Sequence, residues 1–329
     1  MIDVSKIVAA QHPRGPELVD ASFHASNPVH EDFARNAEAV VSGKSASRVL
    51  NRSRLGGHSK KVVLGEIPDE PSGVRYMVKP YHERYHLVPA SEARRDPAHV
   101  KLPIQGWAEM ATQGLFHAAG YGHLYQQAHV VRHPDADLLV VRLPPGVQSL
   151  DKARSWHGGS EKWEPRIGGN SAGADAARMG VMDFLTHQED RHEGNLVGNK
   201  SSMYAVDGSN AFDYGYGLVD DATRRNIAAY DHEFTPAHYL VNSALHHFES
   251  TPQDQEKALK EWWSRRGAVR KEFGRHLEAV RDPQVREHLA RNFETRASLL
   301  DRAATDFDPE WVYQKAPAHV IDDRKWRAL

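Results

Sequence analysis

A proline break at 144–146 divides this sequence into two unlike halves. Before the break, apolar runs at 62–67 and at 74–79, the latter expected to end at Pro80, predict an antiparallel hairpin, and AHVVRH and DLLVVRL predict another. One helix is predicted between the hairpins, from about Pro103. After the break, apolar residues recur mainly at intervals of three and four, which is typical of helices. We therefore expect an α+β fold, sheet-rich first and helical later.

Composition excludes several classes of protein. The chain has 329 residues, which is enough for two lobes, and a formal net charge of −2, so we expect no nucleic-acid partner. The absence of cysteine excludes a disulfide framework, a thiolate zinc site and a cysteine nucleophile. No window approaches about 20 consecutive apolar residues and the N-terminus lacks a secretory pattern. We expect no transmembrane segment and a cytoplasmic location.

Changes in pattern along the chain predict three regions. Residues 1–45 are expected to form an N-terminal extension, 46–145 a first lobe and 146–329 a second lobe. The second lobe is predicted to contain a helix near Asp175–Thr186 and, further on, two long helices. Trp262 and Trp263 are expected in the core of this helical part.

Chemistry-bearing side chains are concentrated in the second lobe, in DRHEGN and VDGSNAF. Short strand patterns at 195–197 and 203–206 predict a hairpin around the turn GNKSS. Such a hairpin would return the chain on itself and bring Asp207 close to Asn195. An oxygen from each side chain can then hold a hard cation such as Mg²⁺, which favours one or two carboxylates together with substrate phosphates.

Asp190 and His192, just upstream of Asn195, are expected to face the same point. One of them can accept a proton from an attacking hydroxyl, and the other can stabilise charge. Metal-held phosphates, a neutralising cation and an oriented nucleophile are the parts that phosphoryl transfer requires. The pattern therefore favours a phosphotransferase.

Lys79 is the candidate for the neutralising cation, because a lysine at the end of the strand VRYMVK can reach phosphates. A carboxylate would have to hold this lysine in place. Glu109, one helical step away from the apolar stripe of the first helix, is the preferred candidate. Glu83 and Glu92 are weaker candidates, since they lie in an irregular segment.

DRHEGN followed by VDGSNAF resembles the catalytic loop and metal-binding motif of the phosphatidylinositol 3/4-kinase-like branch of the protein-kinase-like superfamily. MDFLTHQEDR also resembles phosphatidylinositol 4-kinases and toxin-type bacterial kinases, and YMVKPY resembles their lysine strand. The resemblance implies ATP, Mg²⁺ and a two-lobed protein-kinase-like fold, with a small antiparallel-sheet lobe plus one helix and a larger, mainly helical lobe. By motif, it implies the catalytic residues Asp190 and His192, the metal ligands Asn195 and Asp207, and the phosphate contact Lys79 with its partner Glu109.

The rest of the expected nucleotide site lies in the first lobe. Gly56 and Gly57 precede a strand, and their backbone N–H groups can approach phosphate. We expect adenine to pack near the strand 138–143, with Val141 as a contact, and 144–146 to act as the hinge. The expected activity is that of an ATP- and Mg²⁺-dependent kinase acting on a hydroxyl of a protein, a lipid headgroup or a small molecule.

Other interpretations of the same residues stay open. The phosphate loop and the Asp-Gly-Ser metal motif depart from common kinase patterns, which fits a nucleotide-binding pseudokinase-type regulator. Nucleotidyl transfer on the same fold is another possibility. A more remote interpretation is a His/Asp metallohydrolase. His187 and His192 are candidate metal ligands, although their i, i+5 spacing is not that of a helical ligand pair. The plainest interpretation is a polar loop with an exposed Lys79 and a solvated Glu109.

Overall fold

The fold is taken from a computed structural model of the chain. It describes the following residues, to which all structural statements refer: 35, 37, 38, 41, 63–65, 74–81, 104–133, 136–150, 167–188, 191, 193–208, 211, 212, 248 and 250–305. Most of the predicted N-terminal extension therefore lies outside the described residues, and the three predicted regions stay predictions.

Four antiparallel strands form the first sheet, in the order β1-β2-β4-β3. Their bounds are Val63–Gly65 for β1, Arg75–Tyr81 for β2, Ala128–His133 for β3 and Ala136–Leu143 for β4. Tyr76 and Val78 of β2 are fully buried, as expected for alternate residues of a strand with one face on the core. Both predicted hairpins are confirmed.

The expected end of β2 at Pro80 is wrong, since the strand continues to Tyr81 and Pro80 pairs with Leu138 of β4. Proline is tolerated where a strand has a partner on one side only. The described pairing of β2 with β1 ends at Val78, opposite Val63, so Pro80 lies beyond that ladder.

Helix α1, Gln105–Ala118, packs against β3 and also against the helices of the second half. Its residues from Trp107 to Phe116 are almost all buried, including polar ones. A helix that is buried on nearly every side joins two layers rather than covering one. The predicted helix is confirmed, and its surroundings explain why Glu109 is buried.

A second, smaller antiparallel sheet contains β5 (Gln148–Ser149), β6 (Leu196–Asn199) and β7 (Ser202–Ala205), in that order. The tight turn between β6 and β7 is closed by Asn199, whose Oδ1 accepts hydrogen bonds from the backbone N–H groups of Ser201 and Ser202, each at 3.0 Å. Asparagine favours such turns because its side chain imitates the backbone. The hairpin predicted around GNKSS is confirmed.

Three helices complete the described second half: α2 (Ala172–Thr186), α3 (Pro252–Glu278) and α4 (Pro283–Thr305). Thr251 and Asp254 form a capping box at the start of α3. Asp282 caps α4 by accepting from the Val285 N–H at 3.1 Å. None of these described helices has the length and apolarity needed to cross a bilayer.

The expectation for the two adjacent tryptophans is half right. Trp262 is fully buried and its Nε1 donates to Asp301 at 3.1 Å. Trp263 is 37% exposed, and the guanidinium of Arg266 lies over its ring, 3.6 Å from the centroid. Neighbours on a helix point about 100° apart, so the two indoles cannot both face the same core.

Candidate active site

The hairpin β6–β7 brings the backbone of Asp207 close in space to the backbone of Asn195, the other predicted metal ligand. Leu196 pairs with Ala205, and the Val206 N–H donates to the Asn195 carbonyl at 3.1 Å. Asp207 is therefore the residue next to the one that faces Asn195. Asn195 is buried, with 7% exposure, and Asp207 is half-buried.

A buried arginine holds this end of the hairpin. Arg191 is fully buried, and its Nη1 donates to the carbonyls of Asn195 at 3.0 Å and Val206 at 2.8 Å. Its Nε and Nη2 donate to the two carboxylate oxygens of Asp183 on α2, at 3.0 and 2.9 Å. One side chain thus ties α2 to both strands of the hairpin, directly beside Asn195 and Asp207.

The Asp183–Arg191 pair is an ion pair away from water, with both side chains at 0% exposure. Burial raises the pKa of the Asp183 carboxyl, and the attraction of Arg191 opposes that rise. Burial lowers the pKa of Arg191, but the attraction and hydrogen bonding of Asp183, together with Tyr125 and Glu109, outweigh burial and leave the pKa raised. A bidentate geometry of this kind is what allows two charges to be kept inside a protein.

The peptide that follows the hairpin has an unusual conformation. Asp207 has a φ of +61°, in the left-handed region that residues with a side chain rarely adopt. Its carbonyl accepts from Nε2 of Gln188 at 2.9 Å, and the N–H of Gly208 donates to the Tyr125 hydroxyl at 2.8 Å. Glycine is required at 208, because a Cβ there would collide with that hydroxyl and lie 3.1 Å from Thr112.

Glu109 lies at this same point and is 1% exposed, which excludes the solvated glutamate. Its Oε1 accepts a hydrogen bond from the Tyr125 hydroxyl at 2.7 Å. Burial raises the pKa of Tyr125 well above its ordinary value, and the Glu109 carboxylate raises it further. Sequence reasoning placed Glu109 near a lysine. The structure connects it, through Tyr125, to the backbone after Asp207.

Two further predicted residues lie in the first sheet. Lys79 is in β2, opposite Leu139 of β4, and its side chain lies outside the described part of the structure. Val141 pairs with Met77 on one side and with Ala128 on the other, and its side chain is 1% exposed. The backbone of Val141 is thus paired on both sides within the sheet, and its role as an adenine contact stays a prediction.

The remaining predicted site residues, Asp190, His192, Gly56 and Gly57, lie outside the described residues. Their roles stay predictions.

The donor set suits one metal more than others. Asn195 and Asp207 offer oxygen ligands, which hard cations prefer. Among the residues that the structure describes, no group of three or more His, Asp or Glu side chains can enclose a metal ion. Mg²⁺ is commonly bound by one or two protein oxygens plus substrate phosphates and water rather than by a complete protein cage. The residues present therefore fit Mg²⁺ held together with a phosphate ligand.

Comparison with solved structures gives matches, among them the following two. The chain is similar to the crystal structure of the proinflammatory kinase CtkA of Helicobacter pylori, with a TM-score of 0.48 and 13% identity over 80% of this chain and 98% of that chain. It is also similar to the crystal structure of an aminoglycoside phosphotransferase from Alicyclobacillus acidocaldarius, with a TM-score of 0.24 and 12% identity over 80% and 94% of the two chains. No protein-family model and no curated protein matches the sequence.

Sequence reasoning missed Asp183, Gln188 and Tyr125. Asp183 holds Arg191, and the other two hydrogen-bond the backbone at Asp207 and Gly208. The sequence does indicate a partner for Asp183. A lone carboxylate inside the apolar run VMDFL is a charge that must be paired if the run is buried. No pattern in the sequence indicates the roles of Gln188 and Tyr125. Their roles depend on where the chain returns, and Tyr125 is 83 residues away from its partner Gly208.

Proposed function

We propose that the protein is an ATP- and Mg²⁺-dependent phosphotransferase that acts on a hydroxyl acceptor. The observation that carries the proposal is the backbone juxtaposition of Asn195 and Asp207, held by buried Arg191. Two residues with oxygen-bearing side chains on neighbouring backbone, near a buried carboxylate on α1, support a site for metal-bound phosphates.

Each polar group then has a role in the proposed reaction. Asn195 and Asp207 bind Mg²⁺, which when bound neutralises and orients the phosphates. Lys79 contacts the phosphates from β2. Asp190 accepts the proton of the acceptor hydroxyl, and His192 stabilises charge beside it. Oxygen of the acceptor attacks the terminal phosphorus, the bond to the bridging oxygen breaks, and ADP leaves.

Nucleotide contacts are proposed where the first sheet meets the second half. Because β4 is paired on both sides as far as Val141, and Leu143 still pairs with Arg75, we place the adenine edge after Leu143, at 144–147. Gly146 has a φ of +71° there, as a sharp turn between the two sheets requires. Gly56 and Gly57 remain the proposed phosphate loop.

Turnover of ATP by Asp207→Ala tests the proposal. We expect ADP release with Mg²⁺ to fall by about 100-fold or more, since a lost metal ligand removes several kcal/mol of transition-state stabilisation. Lys200→Ala is the matched control, because Lys200 is exposed at the tip of the same hairpin. Turnover equal in the wild type and in Asp207→Ala would exclude the assignment.

The mass of the modified acceptor separates the remaining activities. Intact-mass analysis after incubation with ATP is expected to detect added phosphate. Added AMP would instead identify nucleotidyl transfer, and thermal stabilisation by ATP without any product would identify a regulatory module.

A further inference from the structure

A single peptide group, the one between Asp207 and Gly208, is held at both of its polar ends by side chains. Its carbonyl oxygen accepts from Gln188, at the end of α2, and its N–H donates to Tyr125, which follows α1. Gln188 is fully buried and Tyr125 is 4% exposed. The hydrogen bond between Tyr125 and Gly208 is buried, and the one between Gln188 and Asp207 is partly buried. A rotation of this peptide would break both of them.

The hydrogen bonds of Tyr125 run in one direction. Its hydroxyl oxygen accepts from Gly208, and its proton is donated to the Glu109 carboxylate. A donor chain that ends on a carboxylate is polarised, which strengthens each bond in it. Burial raises the pKa of the Tyr125 phenol, which keeps the phenol protonated and able to donate. Glu109 on α1 is in this way connected to the backbone that follows Asp207.

Packing reinforces the same arrangement. Gly208 lies so close to the Tyr125 hydroxyl and Thr112 that no side chain fits between them. Asp207, the residue before it, keeps a left-handed φ of +61°. Strained conformations of this kind persist where the surroundings determine them and are frequent at functional sites. Here the surroundings are Gln188 on one side and Tyr125 on the other.

From this geometry we propose that Tyr125 and Gln188 are positioning residues, which fix the Asp207–Gly208 peptide and thereby the backbone that carries the Asp207 carboxylate. The inference rests on the proposed function, since it concerns the orientation of the proposed Mg²⁺ ligand. It also assigns a task to Glu109 other than pairing with Lys79. Through Tyr125, the position of α1 sets the geometry of the metal site.

Tyr125→Phe removes the hydroxyl and keeps the ring. We expect the affinity for Mg²⁺, measured by calorimetry in the presence of a non-hydrolysable ATP analogue, to fall by about 10-fold, the usual effect of losing a group that orients a metal ligand. Binding of the analogue in EDTA should keep its wild-type affinity. Tyr121→Phe is the matched control, because the Tyr121 hydroxyl is also buried but donates to Ala258, and it should leave the affinity for Mg²⁺ unchanged.

Gln188→Leu removes the hydrogen bond to the Asp207 carbonyl, at the other end of the same peptide, and is expected to lower the affinity for Mg²⁺ in the same way. The effects of the two substitutions should be non-additive, since both release the same peptide. A wild-type affinity for Mg²⁺ in folded Tyr125→Phe overturns the proposal, and if that variant does not fold, a wild-type affinity in Gln188→Leu overturns it. Failure of the wild type to bind Mg²⁺ with nucleotide would instead overturn the proposed function.

Discussion

Arg191 shows how one buried charge can organise a site. Its guanidinium makes four hydrogen bonds of 2.8–3.0 Å, two to Asp183 and two to backbone carbonyls beside the candidate metal ligands. A buried ion pair is not in itself a large source of stability, because both charges lose their hydration. Its value here lies in geometry, since only a planar, five-donor group reaches α2 and both strands at once.

Asp183→Ala is expected to destabilise the protein by about 3–5 kcal/mol, because it leaves the Arg191 charge buried without its partner. The free energy of unfolding in urea measures this loss. Glu287→Ala, which breaks an exposed ion pair with Arg291 at 2.7 Å, is the control and should change stability little. If the two variants unfold at the same urea concentration, the buried pair is not the constraint described here.

The strands and helices could be predicted from the sequence where the pattern that indicates them spans only a few neighbouring residues. Strand alternation and a turn such as GNKSS predict hairpins, and an apolar stripe predicts α1, because each depends on residues a few positions apart. Glu109 was harder to assign. The stripe places it beside the core, but its hydrogen-bond partner Tyr125 lies 16 residues further along the chain, and no local pattern contains that contact.

Helices α1 and α3 meet at a close contact that includes a titratable cluster. A Cβ at Gly114 would overlap with His276 and Glu272, and Trp107 Nε1 donates to the His276 carbonyl at 2.8 Å. The Glu272 carboxylate accepts from Nη2 of Arg275 at 2.6 Å and lies 3.0 Å from Nε2 of His276. Burial acts to raise the pKa of Glu272, but these partners outweigh it and lower the pKa to about 2.

Acid stability should therefore depend on Glu272. The pKa of Glu272 in the folded state lies below its unfolded value of 4.5. The ionised carboxylate therefore contributes fully to the free energy of unfolding above pH 4.5, and this contribution is lost as the pH falls towards 2. Thermal unfolding measured from pH 7 to pH 2 should show Glu272→Gln less stable than wild type at pH 7, with a shallower loss between pH 4.5 and 2. Glu287→Gln controls for removal of an exposed carboxylate. Equal slopes for Glu272→Gln and wild type would contradict the role of this contact.

The two sheets belong to one packed body. Tyr125 makes a parallel bridge to Ala205, and the N–H of Gln126 donates to the Ala205 carbonyl at 3.1 Å, so the segment after α1 reaches the second sheet directly. Trp107 of α1 also packs edge-on against Phe212 and Phe273, with ring centroids 5.2 and 6.3 Å apart. A ligand bound by residues of both sheets would therefore act on one connected core.

This connection predicts where nucleotide protects the backbone. With Mg²⁺ and a non-hydrolysable ATP analogue at about 100 times its Kd, binding raises the free energy of those local and global opening reactions that release the ligand by about 2.7 kcal/mol. Hydrogen exchange should then slow both in β2 to β4 and in the β6–β7 hairpin through Gly208, because the proposed site takes Lys79 from one sheet and Asp207 from the other. In Asp207→Ala the hairpin should lose its Mg²⁺-dependent protection, while the first sheet keeps the part due to nucleotide alone. Protection confined to one sheet in the wild type would mean that Lys79 and Asp207 do not share a ligand.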